Sequence, residues 1–140
     1  MSRARAFLTL SAVPTSPDVG LLLLRLWLGA SMFTLHGLGK VERLQADPVQ
    51  FADPFGFGPG ASLLLATMAE AGASVLLVLG LGTRWAALAL SVTMATAFVF
   101  AHGMALSGER SGELPFVYAA GFVAILVMGP GRYSVDARLR

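Results

Sequence analysis

The stretch Leu21–Lys40, LLLLRLWLGASMFTLHGLGK, constrains this chain more than any other. It is long and apolar enough to cross a bilayer, which takes about 20 residues. Yet it carries Arg25 inside and His36 near one end. The two are eleven residues apart, and at ~100° per residue that leaves only ~20° of net rotation. They therefore share one helical face, with Gly29 and Met32 between them. A spanning helix keeps a polar stripe only where the stripe faces other protein, water or a ligand. The remaining apolar segments are expected to pack around that face.

There are three such segments. With the first, they predict an all-α, integral membrane four-helix bundle with spans at about 19–38, 61–81, 85–106 and 114–129. Pro17 and Asp18 suit the start of the first helix, and Gly37 and Gly39 are read as its end. The turn Gly80–Arg84, GLGTR, separates the second and third helices. The fourth is short for a ~30 Å hydrocarbon core. Charge supports the reading: 13% of residues are charged and mean hydropathy is +0.73, whereas soluble domains carry roughly 25% charge. The basic balance, net +2, comes from scattered loop arginines. With no basic run or aromatic platform it does not point to nucleic acid. Cysteine is absent, so thiolate chemistry, Cys-ligated zinc and iron–sulfur clusters are outside the chain's own repertoire.

Residues 1–18 open with Arg3 and Arg5, then an apolar run from Ala6 to Val13. No small-x-small cleavage site follows, so the segment reads as a cytoplasmic N-terminal tail rather than a signal peptide. Residues 19–136 form the transmembrane domain and 137–140 a C-terminal tail. Four spans put both termini on one side. That side carries Arg3, Arg5, Arg84, Arg132, Arg138 and Arg140 against Lys40, Arg43 and Arg110 on the other, which predicts cytoplasmic termini. The opposite side includes the long loop 40–60, with Pro48, Pro54 and Pro59 and the aromatics Phe51, Phe55 and Phe57. It reads either as a lid folded back on the bundle or as an interfacial loop anchored by its Phe side chains.

Four charged or imidazole side chains lie inside the spans: Arg25, His36, Glu70 and His102. A mid-membrane carboxylate costs a few kcal/mol unless protonated or paired. Arg25 is the expected partner of Glu70, across a vertical offset of ~6 Å. His36 and His102 are expected above them, near the outer ends of their helices. Such a column can bind the head of an amphiphile such as a quinone, or relay protons through Glu70 and the histidines with Arg25 as the charge partner of Glu70. The alternatives are a purely structural ion pair, a haem held between the two histidines, and a metal site of His36, His102 and Glu70. The haem and the metal rank lowest, since two histidines are the whole supply.

The ordered set of Arg25, HGLGK (His36–Lys40), Ala69-Glu70, GLGTR (Gly80–Arg84), His102 and GPGRYSVD (Gly129–Asp136) resembles the DoxX family of small bacterial membrane proteins. The likeness runs from Val19 to Asp136. It implies a four-helix membrane bundle. It also implies an accessory role in quinone-linked membrane redox chemistry, since the family takes its name from a subunit associated with a quinol oxidase. Arg25, His36, Glu70 and His102 fall where the resemblance places a polar site. On this reading quinone is the expected small-molecule ligand, and a redox-complex protein or a second copy of the chain is the expected protein partner. The other reading is a non-enzymatic subunit that stabilises a larger membrane complex through small-residue faces at Gly29, Ala66, Ala73 and Ser74.

Overall fold

The structure, a computed structural model, describes residues 7–11 and 13–139. Arg3, Arg5 and Arg140, counted above for orientation, lie outside the described residues, as does most of the basic start of the N-terminal tail. Among the described residues all regular structure is helical. Three helices are long and apolar enough to cross a membrane: α1 (Pro17–Arg43), α2 (Pro59–Leu79) and α3 (Thr83–Ala101). A shorter apolar helix, α4 (Glu113–Met128), follows, and a single turn, α5 (Val135–Arg138), ends the described chain.

Local sequence explains most of these boundaries. The Ser16 hydroxyl accepts the Val19 N–H, and Pro17 and Asp18 fill the first turn of α1, as the N-terminal preferences require. Gly80 and Gly82 both adopt the left-handed conformation (φ 70° and 56°), which turns the chain between α2 and α3 within three residues. The start of α3 is capped from afar. The Asp136 carboxylate accepts the N–H groups of Gly82 and Thr83 at 2.7 and 2.8 Å, filling the role a local N-cap side chain normally plays.

The first helix corrects the sequence reading. It does not stop at Gly37 and Gly39 but runs on to Arg43. Gly37 keeps helical angles (φ −65°, ψ −50°) and serves packing instead. A Cβ there would sit 2.8 Å from the Glu70 carbonyl oxygen and 3.0 Å from Ala71 Cα. Glycine is needed because the α2 backbone passes so close. Conversely, α3 ends at Ala101, short of the expected 106, because Gly103 and Met104 turn left-handed.

The core lies where α1, α2, α3 and α4 meet. Met32, Leu77, Ala87, Leu90, Phe122 and Ile125 are fully enclosed there. α3 and α4 share the most extensive contact, and α1 lies along α2. Gly29 sets the second close approach, since a Cβ there would meet Val78 Cγ2 at 2.7 Å and Ser74 O at 3.1 Å. Outward faces carry Leu23, Trp27, Leu35, Trp85 and Val127, all mostly exposed. In an aqueous protein that would be a liability; in a bilayer these side chains meet a solvent as apolar as themselves.

Candidate functional site

The two close approaches fix the antiparallel register of α1 against α2. With Gly29 on Ser74 and Val78, and Gly37 on Glu70 and Ala71, Arg25 falls opposite the Leu77–Gly80 end of α2 and Lys40 falls opposite Glu70. The expected pairing of Arg25 with Glu70 is therefore corrected. Glu70 forms its ion pair with Lys40. Arg25, wholly buried, donates through Nη1 to the Leu77 carbonyl at 3.3 Å and through Nη2 to the Tyr133 carbonyl. Seven residues separate Leu77 from Glu70, about 10 Å along the helix axis, too far for one guanidinium to serve both.

Arg25 is thus the centre of a clamp at the turn end of the bundle. Gly80 packs flat on it, and a Cβ at Gly80 would lie 2.0 Å from Arg25 Nη1. The segment Gly129–Asp136 returns to this point. Asp18 accepts the Arg132 N–H at 2.8 Å, Asp136 donates its own N–H to Gly80 O at 2.8 Å, and Ser134 is buried. The clamp joins α1, the α2–α3 turn and the chain after α4.

The two histidines go elsewhere. His36 meets the edge of Tyr118 at 5.9 Å, and Tyr118 in turn donates its hydroxyl to Ser31 at 2.9 Å. His102 places Nδ1 3.1 Å from the Arg110 carbonyl oxygen, closing the turn after α3. Of Arg25, His36, Glu70 and His102, only Glu70 lines the cavity described next. No three of His, Asp and Glu are grouped as metal ligands among the described residues, so His36, Glu70 and His102 do not converge.

What Glu70 and Lys40 do share is a cavity of ≈ 410 Å³. Its walls are α2 (Leu65, Ala66) and α3 (Val92, Thr93, Thr96, Ala97, Phe100), and its roof is the loop residues Phe51, Pro54, Phe55 and Phe57. The lining is mainly apolar, with the ion pair at the end farthest from the roof. The loop covers the cavity, as the lid reading expects, and its Phe55 and Phe57 are at the same time more than half exposed, as the interfacial reading expects. Asp53 holds it in shape. One carboxylate oxygen accepts the Phe57 N–H at 2.9 Å and the Ser62 hydroxyl at 2.7 Å, and the other accepts the Gly58 N–H at 2.8 Å. The Ser62 hydroxyl first, then the backbone N–H groups, hold the Asp53 carboxyl below its ordinary pKa. Phe55 packs edge-on against Phe100 of α3 at 5.5 Å and beside Phe57 at 5.9 Å.

Three π-helical turns accompany these residues: Phe33–Gly37 in α1, Met68–Ala73 in α2 and Ala97–Ala101 in α3. They hold His36, Glu70 and three residues of the cavity wall, Ala97, Phe100 and Ala101. In an uninterrupted α-helix Arg25 and Lys40, fifteen residues apart, would be about 60° out of line. The under-wound turn between them takes up part of that difference, so both reach α2. Such turns recur at functional sites, and no residue pattern in the sequence announces them. Lys40 was missed because it follows two glycines; its position four residues after His36 on a continuing helix was the available signal.

The small-residue faces are also accounted for. Gly29, Ala73 and Ser74 are buried in the chain's own core, and Ala66 lines the cavity. They are not free to dock another protein.

Chemically, the cavity offers a cationic donor and an anionic acceptor side by side, in surroundings where every other contact is apolar or a hydroxyl. Lys40 has three N–H donors, and Glu70 has a second carboxylate oxygen. The pair is neutral as a whole.

The model of the DoxX family matches residues 20–103, a span that includes Arg25, His36, Lys40, Glu70 and His102. An uncharacterised protein of Haemophilus influenzae is 36% identical over 113 residues, 76% of this chain and 81% of that protein. The inner membrane protein YqjF of Escherichia coli K12 is 33% identical over 127 residues, 87% of this chain and 93% of its own. No solved structure matches the chain.

Proposed function

Given that the chain belongs to the DoxX family and is a multi-pass inner-membrane protein, we propose that it binds a quinone-like amphiphile in the lid-covered cavity and serves quinone-linked membrane redox chemistry. The observation that carries this reading is the Lys40–Glu70 pair at the closed end of an apolar, Phe-roofed cavity of ≈ 410 Å³. Cavities of this size and lining suit small apolar molecules fixed by a few polar groups. A bound quinone would supply the capacity to carry two electrons and two protons. Lys40 takes the place first expected of Arg25 beside Glu70, and in this reading it also donates a hydrogen bond to a carbonyl oxygen of the head, the part first given to the histidines. Glu70 accepts a hydrogen bond from a hydroxyl of the reduced form and is placed to hold or release its proton. The Phe lid excludes water. Arg25 lies outside this site, in the clamp that ties α1 to the end of α2 and to the chain after α4. In this reading α4 is the fourth span, and the excess of Arg at the turn end places both termini in the cytoplasm.

The test is a quinone balance. Protein purified in mild detergent is extracted with organic solvent, and quinone is counted against protein by mass spectrometry. Quinone in fixed proportion to wild-type protein, and lost from the Glu70→Gln variant, supports the reading. A clean extract, together with no binding of added decylubiquinone, sinks it.

The second reading, a non-enzymatic subunit of a larger complex, now rests on α1. Its outward groove of Leu23, Leu26, Trp27, Ala30, Ser31 and Thr34 is the surface left for a neighbour. A stoichiometric partner that co-purifies, and is lost on Trp27→Glu, would favour it.

A further inference from the structure

The two walls of the cavity do not stay together. α3 packs on the Met68–Ala73 and Ser74–Leu79 portions of α2 but parts from Pro59–Thr67. The helices leave the Gly80–Gly82 turn as neighbours and splay toward the lid, so the cavity is a wedge between them. The lid spans the wide end of that wedge and is fastened to both sides. Asp53 ties it to Ser62 of α2, and Phe55 leans on Phe100 of α3. The flank is not covered. Leu65 (55%), Val92 (56%) and Phe100 (58%) are each more than half exposed on the rim, while Ala66, Thr93 and Ala97 line the floor with small side chains. The wide end is roofed by aromatic rings, themselves 55% and 62% exposed at Phe55 and Phe57, whereas the flank between Leu65 and Val92 is edged by α2 and α3 alone.

The charge at the deep end restricts what can enter. Glu70 and Lys40 already neutralise each other. An anionic head brought to Lys40 would meet the Glu70 carboxylate, and a cationic head brought to Glu70 would meet Lys40. Either leaves an unbalanced charge in a low-dielectric site, at a cost of several kcal/mol. A neutral carbonyl can take an N–H of Lys40 without parting the pair.

From this wedge, and resting on the binding role proposed above, we infer that the site takes a neutral, carbonyl-headed amphiphile that enters sideways from the bilayer, its head on Lys40 and its tail leaving between α2 and α3. The residues that select for the tail are Ala66, Thr93 and Ala97 on the floor and Leu65, Val92 and Phe100 on the rim. The lid is a wall and takes no part in entry.

Photolabelling in nanodiscs tests the path. The probe is a benzoquinone carrying a diazirine on a short alkyl tail, and labelled residues are mapped by mass spectrometry. The expected result is label on Leu65, Ala66, Val92, Ala97 or Phe100, suppressed by excess decylubiquinone but not by palmitate or an alkyl ammonium. Competable label confined to Phe51, Phe55 and Phe57, with none on Leu65, Ala66, Val92 or Ala97, would overturn the sideways path while leaving the binding site standing. Suppression by palmitate equal to that by decylubiquinone would overturn the neutral-head requirement. Absence of any competable label would remove the binding site itself, and the inference with it.

Discussion

Lys40 on α1 and Glu70 on α2, thirty residues apart in the chain, form an ion pair at the closed end of a cavity lined mainly by apolar side chains. Their side chains are 18% and 6% exposed. Removing either partner strands the other. Lys40→Met or Glu70→Leu alone should each cost roughly 3 kcal/mol. The double variant should recover most of that stability and none of the quinone binding. Thermal unfolding in detergent, read beside binding, checks both halves.

Gly37 is the contact that brings the pair together. Gly37→Ala places a methyl 2.8 Å from the Glu70 carbonyl oxygen. Backbone cannot yield as a side chain can, so α1 must lift from α2. The expected cost is about 1–3 kcal/mol, with weakened ligand binding. Gly39 has nothing within 4 Å of its added Cβ, so Gly39→Ala should leave binding unchanged and raise stability by about 0.5–1 kcal/mol through helix propensity. Parallel melting and binding curves of the two variants separate packing from propensity.

The clamp at the other end predicts a different pattern. Arg25→Lys keeps the charge but loses the planar fork that reaches both the Leu77 and Tyr133 carbonyls. Gly80→Ala cannot be built without moving the guanidinium. Both should destabilise the fold and loosen residues 129–136. Ligand affinity, measured on the protein that remains folded, should stay within a factor of two or so of wild type. Hydrogen exchange at the Asp136 amide reports the loosening.

Asp53 gives the lid a dependence on acid. Its carboxyl is held below the ordinary value of 3.8. A depressed pKa contributes stability at pH above the ordinary value, and that contribution is lost as pH falls through the lowered one. Lid order should thus be constant from neutral pH down to about 4 and decline in stronger acid. Asp53→Asn should show weak lid order at every pH, without the acid step. Exchange protection of the Phe57 and Gly58 amides, which donate to this carboxylate, is the readout.

These residues also show where the sequence was legible. Periodicity and apolar length located the helices, and the boundaries of α2 and α4 fall within about two residues of expectation. The rarity of charge in a span singled out Glu70 and Arg25 as residues with a role. What could not be read was which charge each would meet. Gly37 looks like a helix stop in a sequence, whereas its function here depends on another helix whose backbone would lie 2.8 Å from a Cβ at this position. Arg25 donates to the carbonyl of Tyr133, 108 residues later, and backbone carbonyls carry no sequence signature. His36 and His102 met ordinary neighbours, a Tyr edge and a turn carbonyl. The lid was suggested by its three Phe residues, but the Asp53 contacts that shape it depend on where the chain turns back.

The most direct test compares four variants in one binding experiment. Decylubiquinone affinity is measured by calorimetry in nanodiscs for Lys40→Met, Glu70→Gln, His36→Ala and His102→Ala. The account predicts a loss of at least ~10-fold for the two variants of the pair, about 1.4 kcal/mol or more, and little change for the two histidine variants. Unchanged binding in Lys40→Met together with loss in the histidine variants would contradict it.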